Sequence, residues 1–315
     1  MIFVYSFSSQ IVFFLISFFL SSQLSDRMTF STFQKNIKRN FNNFSLFINL
    51  FFFQSFFLVF VFLRMFSNRS EYDHDVNMFS PEGRIYQVEY ALEAIKLGTT
   101  AIGIQTSGGV VLAVEKRVLS PLLCPESIEK ILEVDTHLGA AASGMTADAR
   151  TLIDHARVAA QNHRFTYNEP LGVGACADAL CDAALRFSRT EKAKKGEERM
   201  SRPYGVAVLL AGVERGEAKL YYADPSGSAT QYLAKAIGAG AENAQAVLRE
   251  KYNRSLTVGE AEKLAVETLK GVMEEKIAPE NVEMAIARTD TGRFEIYSRE
   301  RIAEILATLD QKQDA

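Results

Sequence analysis

The sequence predicts an α+β fold, because groups of strands alternate with pairs of helices along the chain. From about residue 84 the order is one helix, strands, two helices, strands, two helices, strands and a closing helix. Two antiparallel sheets stacked between layers of helices satisfy this order, since each element then buries its apolar face. We therefore expect a four-layer αββα sandwich with an N-terminal helix.

The strands are predicted from runs of alternating residues that end at turn-forming residues. The first two form a hairpin, in which Ser107 and Gly108 make the turn between residues 99–106 and 109–116. Further strands are predicted at residues 127–134, 136–142, 204–212, 218–224, 227–233, 282–287 and 293–298.

Helices are predicted where apolar residues recur every three or four positions. Beyond the N-terminal helix they cover residues 147–162, 172–187, 242–252, 257–275 and 299–309. Residues 189–199 are a run of charged residues, RTEKAKKGEER, and are expected to form a solvated loop.

The N-terminal helix is predicted from about residue 84 to Lys96. Ser80 is a suitable N-cap and Pro81 suits the first helical position, because its missing N–H has no intrahelical partner there. Lys96 lies where the helix dipole favours a positive charge, and Gly98 is well placed to end the helix. Apolar residues occupy two sides of this helix, so we expect both sides to pack against partners.

Composition excludes several classes of function. The chain has 315 residues, a net charge of −3 and 23% charged residues, so nothing suggests binding to nucleic acid. Its three cysteines form no disulfide framework and match no zinc spacing, and the four histidines show no ligand spacing either. We expect neither a metal nor a cofactor.

The first 64 residues differ from the rest, since they hold 18 of the 23 phenylalanines and no Gly, Ala, Pro or Glu. Residues 44–63 carry no charge and are about long enough to cross a hydrocarbon core of ~30 Å. This pattern fits a membrane anchor. We favour instead an upstream extension that is not part of the mature protein, because Met65 offers a second start. The working domain is then residues 65–315, with no membrane partner.

Residues 72–94 carry the most specific pattern in the chain. Tyr72, Asn77, Phe79-Ser80-Pro81, Gly83-Arg84, the run QVEYA at 87–91 and Ala94 resemble, without a gap, the N-terminal signature of proteasome alpha-type subunits. Segments at residues 70–73, 94–110, 125–131, 164–170 and 200–213 are similar to one type within that family. The resemblance covers residues 65 to 309 and implies the Ntn-hydrolase, proteasome-subunit fold.

The resemblance implies a structural and gating role. Alpha subunits form a heteroheptameric ring that caps the beta rings of the 20S core, and their N-terminal segments close a central gate. The residues that hold the open gate in the family correspond to Tyr72, Asp73, Pro81 and Tyr90. The family usually has Arg where His74 stands, which puts any contact of that arginine in question.

The resemblance also implies a docking pocket for the C-termini of activators such as the regulatory particle. Lys130 corresponds to the lysine that meets the terminal carboxylate. Gly144 and Met145 correspond to residues that line this pocket, and Gly83 and Arg84 to the turn beside it. A protein of this kind acts in ubiquitin-dependent protein degradation, and we expect it in cytoplasm and nucleus.

An alternative is a threonine peptidase, because catalytic beta-type subunits share the fold. Thr99 corresponds to their N-terminal nucleophile and Glu115 to their catalytic Asp, while Lys130 lies near their lysine. A nucleophilic threonine needs its own free α-amine, and Thr99 is joined to Gly98. We therefore expect Thr99 and Glu115 to be vestigial and the chain to be non-catalytic. A membrane-tethered proteasome component is a further alternative if residues 1–64 are retained.

Overall fold

A computed structural model describes residues 72–118, 120, 122–188 and 200–313. The predictions for residues 1–64, with their apolar stretch at 44–63, and for the charged run at 189–199 lie outside these residues. In the part of the chain that is described, no helix is both long enough and apolar enough to cross a membrane.

The described residues form two antiparallel sheets of five strands each. In chain order the strands are β1 Ala101–Thr106, β2 Gly109–Glu115, β3 Ile131–Asp135, β4 Leu138–Gly144, β5 Val206–Glu214, β6 Glu217–Ala223, β7 Ala229–Gln231, β8 Ala234–Ile237, β9 Val282–Arg288 and β10 Phe294–Ile296. Sheet A has the order β10-β9-β2-β1-β8, and sheet B has the order β3-β4-β5-β6-β7.

Helices pack against both sheets. They are α1 Tyr86–Lys96, α2 Thr146–Tyr167, α3 Val173–Ala184, α4 Ala241–Lys251, α5 Val258–Val272 and α6 Arg299–Gln313. Helices α2 and α3 pack on sheet B, α4 packs on β8, and α5 packs on sheet A with α6 beside it. The predicted four-layer αββα sandwich is confirmed.

Three apolar cores hold these layers together. One lies between sheet B and helices α2 and α3, one between the two sheets, and one between sheet A and helices α4 to α6. Neighbouring residues of one strand serve different cores, because successive side chains point to opposite faces. In β5, Leu209 belongs to the core between the sheets and Leu210 to the core under the helices.

Two details of the sequence prediction are wrong. Residues 234–237 form a strand, β8, which pairs with the free edge of β1, whereas the sequence pattern placed no strand there. Helix α1 begins at Tyr86 with Ile85 as N-cap, so Ser80 does not cap it and Pro81 is not its first residue. Its end is as predicted, since Lys96 lies in the last turn and the Gly98 N–H donates to the carbonyl oxygen of Ile95 at 2.9 Å.

Candidate functional site

The segment before α1 is a turn built from Ser80, Pro81, Glu82 and Gly83. The Gly83 N–H donates to the Ser80 carbonyl oxygen at 2.8 Å, and Gly83 has a positive φ of 78°. Ser, Pro and Gly at the first, second and fourth positions are what a β-turn with this hydrogen bond favours. The Ser80 hydroxyl is buried and accepts the Arg84 N–H at 3.2 Å, so it closes the turn instead of capping the helix.

The polar segment at residues 72–79 is held against helix α1 and helix α3. Gln87 donates its side-chain amide to the Asp73 carbonyl oxygen at 2.6 Å, and the Tyr90 hydroxyl donates to Asp73 Oδ2 at 3.2 Å. Asn77 donates its side-chain amide to the carbonyl oxygen of Ser188, just beyond α3, at 3.1 Å. These contacts fix the path of the segment at both of its ends.

The structure therefore brings together part of the predicted gate cluster. Asp73 and Tyr90 are hydrogen-bonded. Pro81 lies exposed in the turn, and Tyr72 is partly buried. Among the described residues no hydrogen bond joins Tyr72 or Pro81 to the other two. Gln87 and Asn77 complete the anchoring, and the sequence analysis assigned neither of them a role.

Arg84, predicted to lie beside the docking pocket, forms a two-point ion pair with Glu89 of α1. Its Nε and Nη2 atoms lie 2.5 and 2.6 Å from the two carboxylate oxygens. Half of the Arg84 side chain is exposed. Because two parallel hydrogen bonds fix a guanidinium in orientation, this pair ties the turn to the first turn of the helix.

Lys130 directly precedes β3 and lines a crevice of about 10 Å³. Gly144 and two further charged residues, Glu129 and Arg150, also line it. Burial lowers the pKa of Lys130 below its usual value, and the nearby Arg117 lowers it further. The predicted neighbours Lys130 and Gly144 thus share one crevice. Gly83 and Arg84 are not among the residues that line it.

Met145 is the N-cap residue of α2 and follows Gly144 directly. Its backbone N–H donates to the Gly205 carbonyl oxygen at 2.9 Å, and its side chain is 45% exposed. No side chain caps this end of α2, but Asp148 lies in its first turn. The predicted docking residues Lys130, Gly144 and Met145 therefore surround the point where β4 passes into α2.

The residues that resemble a catalytic site have other partners. Thr99 is buried, and in the described part of the chain its hydroxyl oxygen has no hydrogen-bond partner. Its carbonyl oxygen accepts the Ser143 hydroxyl at 2.8 Å. Glu115 accepts the Thr100 N–H at 3.2 Å and the Arg117 Nε–H at 2.9 Å. Glu115 therefore forms its ion pair with Arg117, not with a group that could activate Thr99.

Glu283 is a further charged residue at this site, and the sequence analysis did not find it. It lies in β9, is buried, and its carboxylate accepts the Lys130 N–H at 2.9 Å. Burial raises the pKa of Glu283 above its usual value, although two backbone N–H groups and Lys116 oppose that rise. The only signal in the sequence is one acidic residue in an otherwise apolar run, VEMAIA.

Two family models match the chain. One, described as a proteasome subunit, covers residues 95–287, and another, described as the N-terminal signature of proteasome subunits of the A type, covers residues 72–94. The second range is the anchored segment, the turn and most of α1. The first begins at the end of α1 and runs through the strands and helices of the sandwich to β9.

Relatives named as alpha type-5 subunits of the proteasome match over most of their length. The one from Dictyostelium discoideum is 59% identical, over 78% of this chain and 100% of its own. That from Trypanosoma brucei brucei is 55% identical, over 77% and 97%. That from Drosophila melanogaster is 52% identical, over 76% and 98%. These relatives confirm the predicted resemblance to proteasome alpha-type subunits and the predicted similarity to one type within that family.

Proposed function

Because this chain belongs to the family of proteasome alpha-type subunits, we propose that it gates substrate access to the 20S core and docks activators there. As a member of that family it is a non-catalytic part of the core and assembles with other proteasome subunits. The observation that carries the proposal is the ordered arrangement of the signature residues 72–94, in which Asp73 is bound by two side chains of α1.

The way in which residues 72–83 are held supports the gate assignment. Two hydrogen bonds to Asp73 join the segment to α1, and the turn at residues 80–83 reverses the chain between Asp73 and that helix. A segment anchored near its start and at its turn has few positions available. We infer that Tyr72, Asp73, Pro81 and Tyr90 set the position of the chain that precedes them, which is the requirement for a gate.

The surroundings of Lys130 support the docking assignment. The ammonium group of Lys130 supplies a positive charge for a terminal carboxylate, beside a crevice that at about 10 Å³ has room for about one water molecule. Partial burial of Lys130 strengthens such a contact, because an ion pair away from water is less screened. Met145 lies next to Gly144 and offers an exposed apolar side chain for the residues that precede the carboxylate.

The proposed partners are those of a gating component of the ring. They are the other alpha subunits of a heteroheptameric ring, the beta ring, and the C-termini of activators such as the regulatory particle. We further propose a location in cytoplasm and nucleus and a role in ubiquitin-dependent protein degradation.

The test replaces Lys130 with Ala in assembled 20S particles. We expect activator-stimulated peptide hydrolysis to be lost, whereas native mass spectrometry still finds the intact particle. Lys251→Ala is the matched control, because Lys251 lies on the outer helix α4 in an ion pair with Glu267. If stimulation survives in Lys130→Ala, the docking assignment is wrong.

A further inference from the structure

A buried carboxylate connects the two sheets directly beside Lys130. Glu283 belongs to β9 of sheet A, and its Oε2 atom accepts the backbone N–H groups of Lys130 at 2.9 Å and Ile131 at 3.4 Å. Lys130 directly precedes β3, the edge strand of sheet B, and Ile131 is the first residue of that strand. One carboxylate oxygen of sheet A therefore accepts two backbone N–H groups at the point where the chain enters sheet B.

These donors need such a partner. The outer side of an edge strand has no neighbouring strand, so its backbone N–H groups must find side chains or water. Here the Lys130 carbonyl oxygen accepts the Ala142 N–H of β4 at 3.3 Å, while the Lys130 N–H is bound by Glu283. The backbone of Lys130 is thus held from both sides.

The charge of Glu283 is balanced locally. Lys116 Nζ lies 3.8 Å from Glu283 Oε2, and both side chains are largely buried. A buried carboxylate without a counter-charge would be costly. With Lys116 and two N–H groups around it, Glu283 has a fixed place between the sheets.

We propose that Glu283 is the positioning residue of the docking pocket, which holds the backbone of Lys130 so that its ammonium group meets a terminal carboxylate. This inference rests on the proposed docking function of Lys130. The physical reason is that a long lysine side chain reaches its target reliably only if its Cα is fixed. Lys130 directly precedes an edge strand, β3, which has a neighbouring strand, β4, on one side only. The Glu283 charge also opposes the lowering of the Lys130 pKa by burial.

The experiment measures binding to assembled 20S particles. The probe is a synthetic peptide with the C-terminal residues of a regulatory-particle protein, fluorescently labelled, compared with its C-terminally amidated form. The variants are Glu283→Ala, Glu283→Gln and Glu283→Asp. Glu267→Gln is the matched control, because it removes a carboxylate from an exposed residue of α5 that pairs with Lys251 and makes no contact with Lys130.

Geometry and charge predict different rankings. Gln keeps an oxygen that accepts both N–H groups, whereas Asp keeps the charge but is one methylene too short to reach them. If Glu283 acts by position, Ala and Asp weaken binding of the free-carboxylate peptide about tenfold, and Gln weakens it less than about threefold. Glu267→Gln leaves the affinity unchanged.

Each other outcome counts against the proposal. Loss in Gln with retention in Asp would assign the effect to charge alone, and unchanged binding in both Ala and Asp would remove Glu283 from the site. If the Ala variant does not assemble, the comparison of Gln with Asp still decides. Lys130→Ala is measured in parallel. If Lys130→Ala binds the peptide normally, the docking function itself is wrong. If Lys130→Ala loses binding while all three Glu283 variants keep it, only the positioning role is wrong.

Discussion

Asp148 holds the beginning of α2 to the chain that leads into β5, and replacing it tests how the docking surface is supported. Its carboxylate accepts two hydrogen bonds from Arg202, at 2.7 and 3.0 Å, and one from the Gly205 N–H at 2.9 Å. The Gly205 carbonyl oxygen also accepts the Met145 N–H. Asp148→Asn removes the charge but keeps an oxygen that the Gly205 N–H can reach.

The expected cost is about 2 kcal/mol in the free energy of unfolding. Hydrogen bonds to charged groups contribute about 1.5 to 3 kcal/mol each, but half of the Arg202 side chain is exposed, so solvent screens the pair and the sum is smaller. A domain of this size should then lose about 4 to 8 °C in melting temperature. The assay is urea unfolding of the full chain, followed by circular dichroism.

The dependence on pH gives a second measurement of the same pair. Burial alone would raise the pKa of Asp148, but the bonds from Arg202 and Gly205 outweigh it and lower the pKa below the ordinary 3.8. The stabilisation is therefore present above pH 3.8 and is lost as the pH falls through the lower native pKa. The difference between the native chain and Asp148→Asn should shrink in that acid range.

The matched control is Asp154→Asn, on the same helix. Asp154 pairs with Arg157 at 3.1 Å, but the Asp154 side chain is 68% exposed, whereas that of Asp148 is 10% exposed, so the expected loss is below about 0.5 kcal/mol. Equal losses in the two variants, or a difference for Asp148→Asn that persists unchanged at low pH, would refute the reasoning.

Three further predictions follow from other parts of the chain. Gly271→Ala should raise the free energy of unfolding by up to about 1 kcal/mol in a urea titration. Gly271 lies in α5, where alanine is more favourable than glycine, and an added Cβ meets nothing within 4 Å. A loss of stability would contradict this prediction. Tyr90→Phe removes the hydrogen bond to Asp73 and should lower activator-stimulated peptide hydrolysis of assembled particles about two- to tenfold, and unchanged stimulation would remove Tyr90 from the gate. Iodoacetamide should modify the exposed Cys124 first, because burial raises the pKa of the Cys176 thiol to about 12 and that of the Cys181 thiol to about 11. Peptide mapping measures the three rates, and equal rates would contradict the prediction.

The layers of the fold could be predicted because each one leaves a period in the sequence. Strands and helices that pack on one face repeat every two or every three to four residues, and those periods are local. Strand β8 leaves no such mark, since residues 234–237 read AKAI and alanine has little preference for strands. It forms because β1 has a free edge that it can pair with, which is a property of the assembled sheet.

The error at Ser80 shows how one local rule can serve two structures. Ser followed by Pro suits the start of a helix, and the same pair suits the first two positions of a β-turn. Gly83 decides between them, because its positive φ and its bond back to Ser80 close the turn before a helix can begin. The chain therefore reverses first, and α1 begins only at Tyr86.

Glu283 could not be predicted, because its role depends on how the two sheets stack. It is separated from Lys130 by 153 positions in the chain, and no local period connects them. A single acidic residue in an apolar strand indicates only that something must satisfy it. Which groups do so is decided by the packing of β9 against the start of β3.

The peptide bond between Gly98 and Thr99 decides which of two functions this fold can have. A free Thr99 amine would require cutting that bond, yet the Gly98 carbonyl oxygen accepts the Ala239 N–H at 2.9 Å. Gly98 also lies so close to β4 that an added Cβ would be 2.3 Å from the backbone nitrogen of Gly144. Cutting there would release α1 together with the segment that Asp73 anchors. With this bond cut, Thr99 would be a nucleophile with a free amine; with the bond intact, the N-terminal segment stays anchored. The intact bond in this chain keeps the anchored segment.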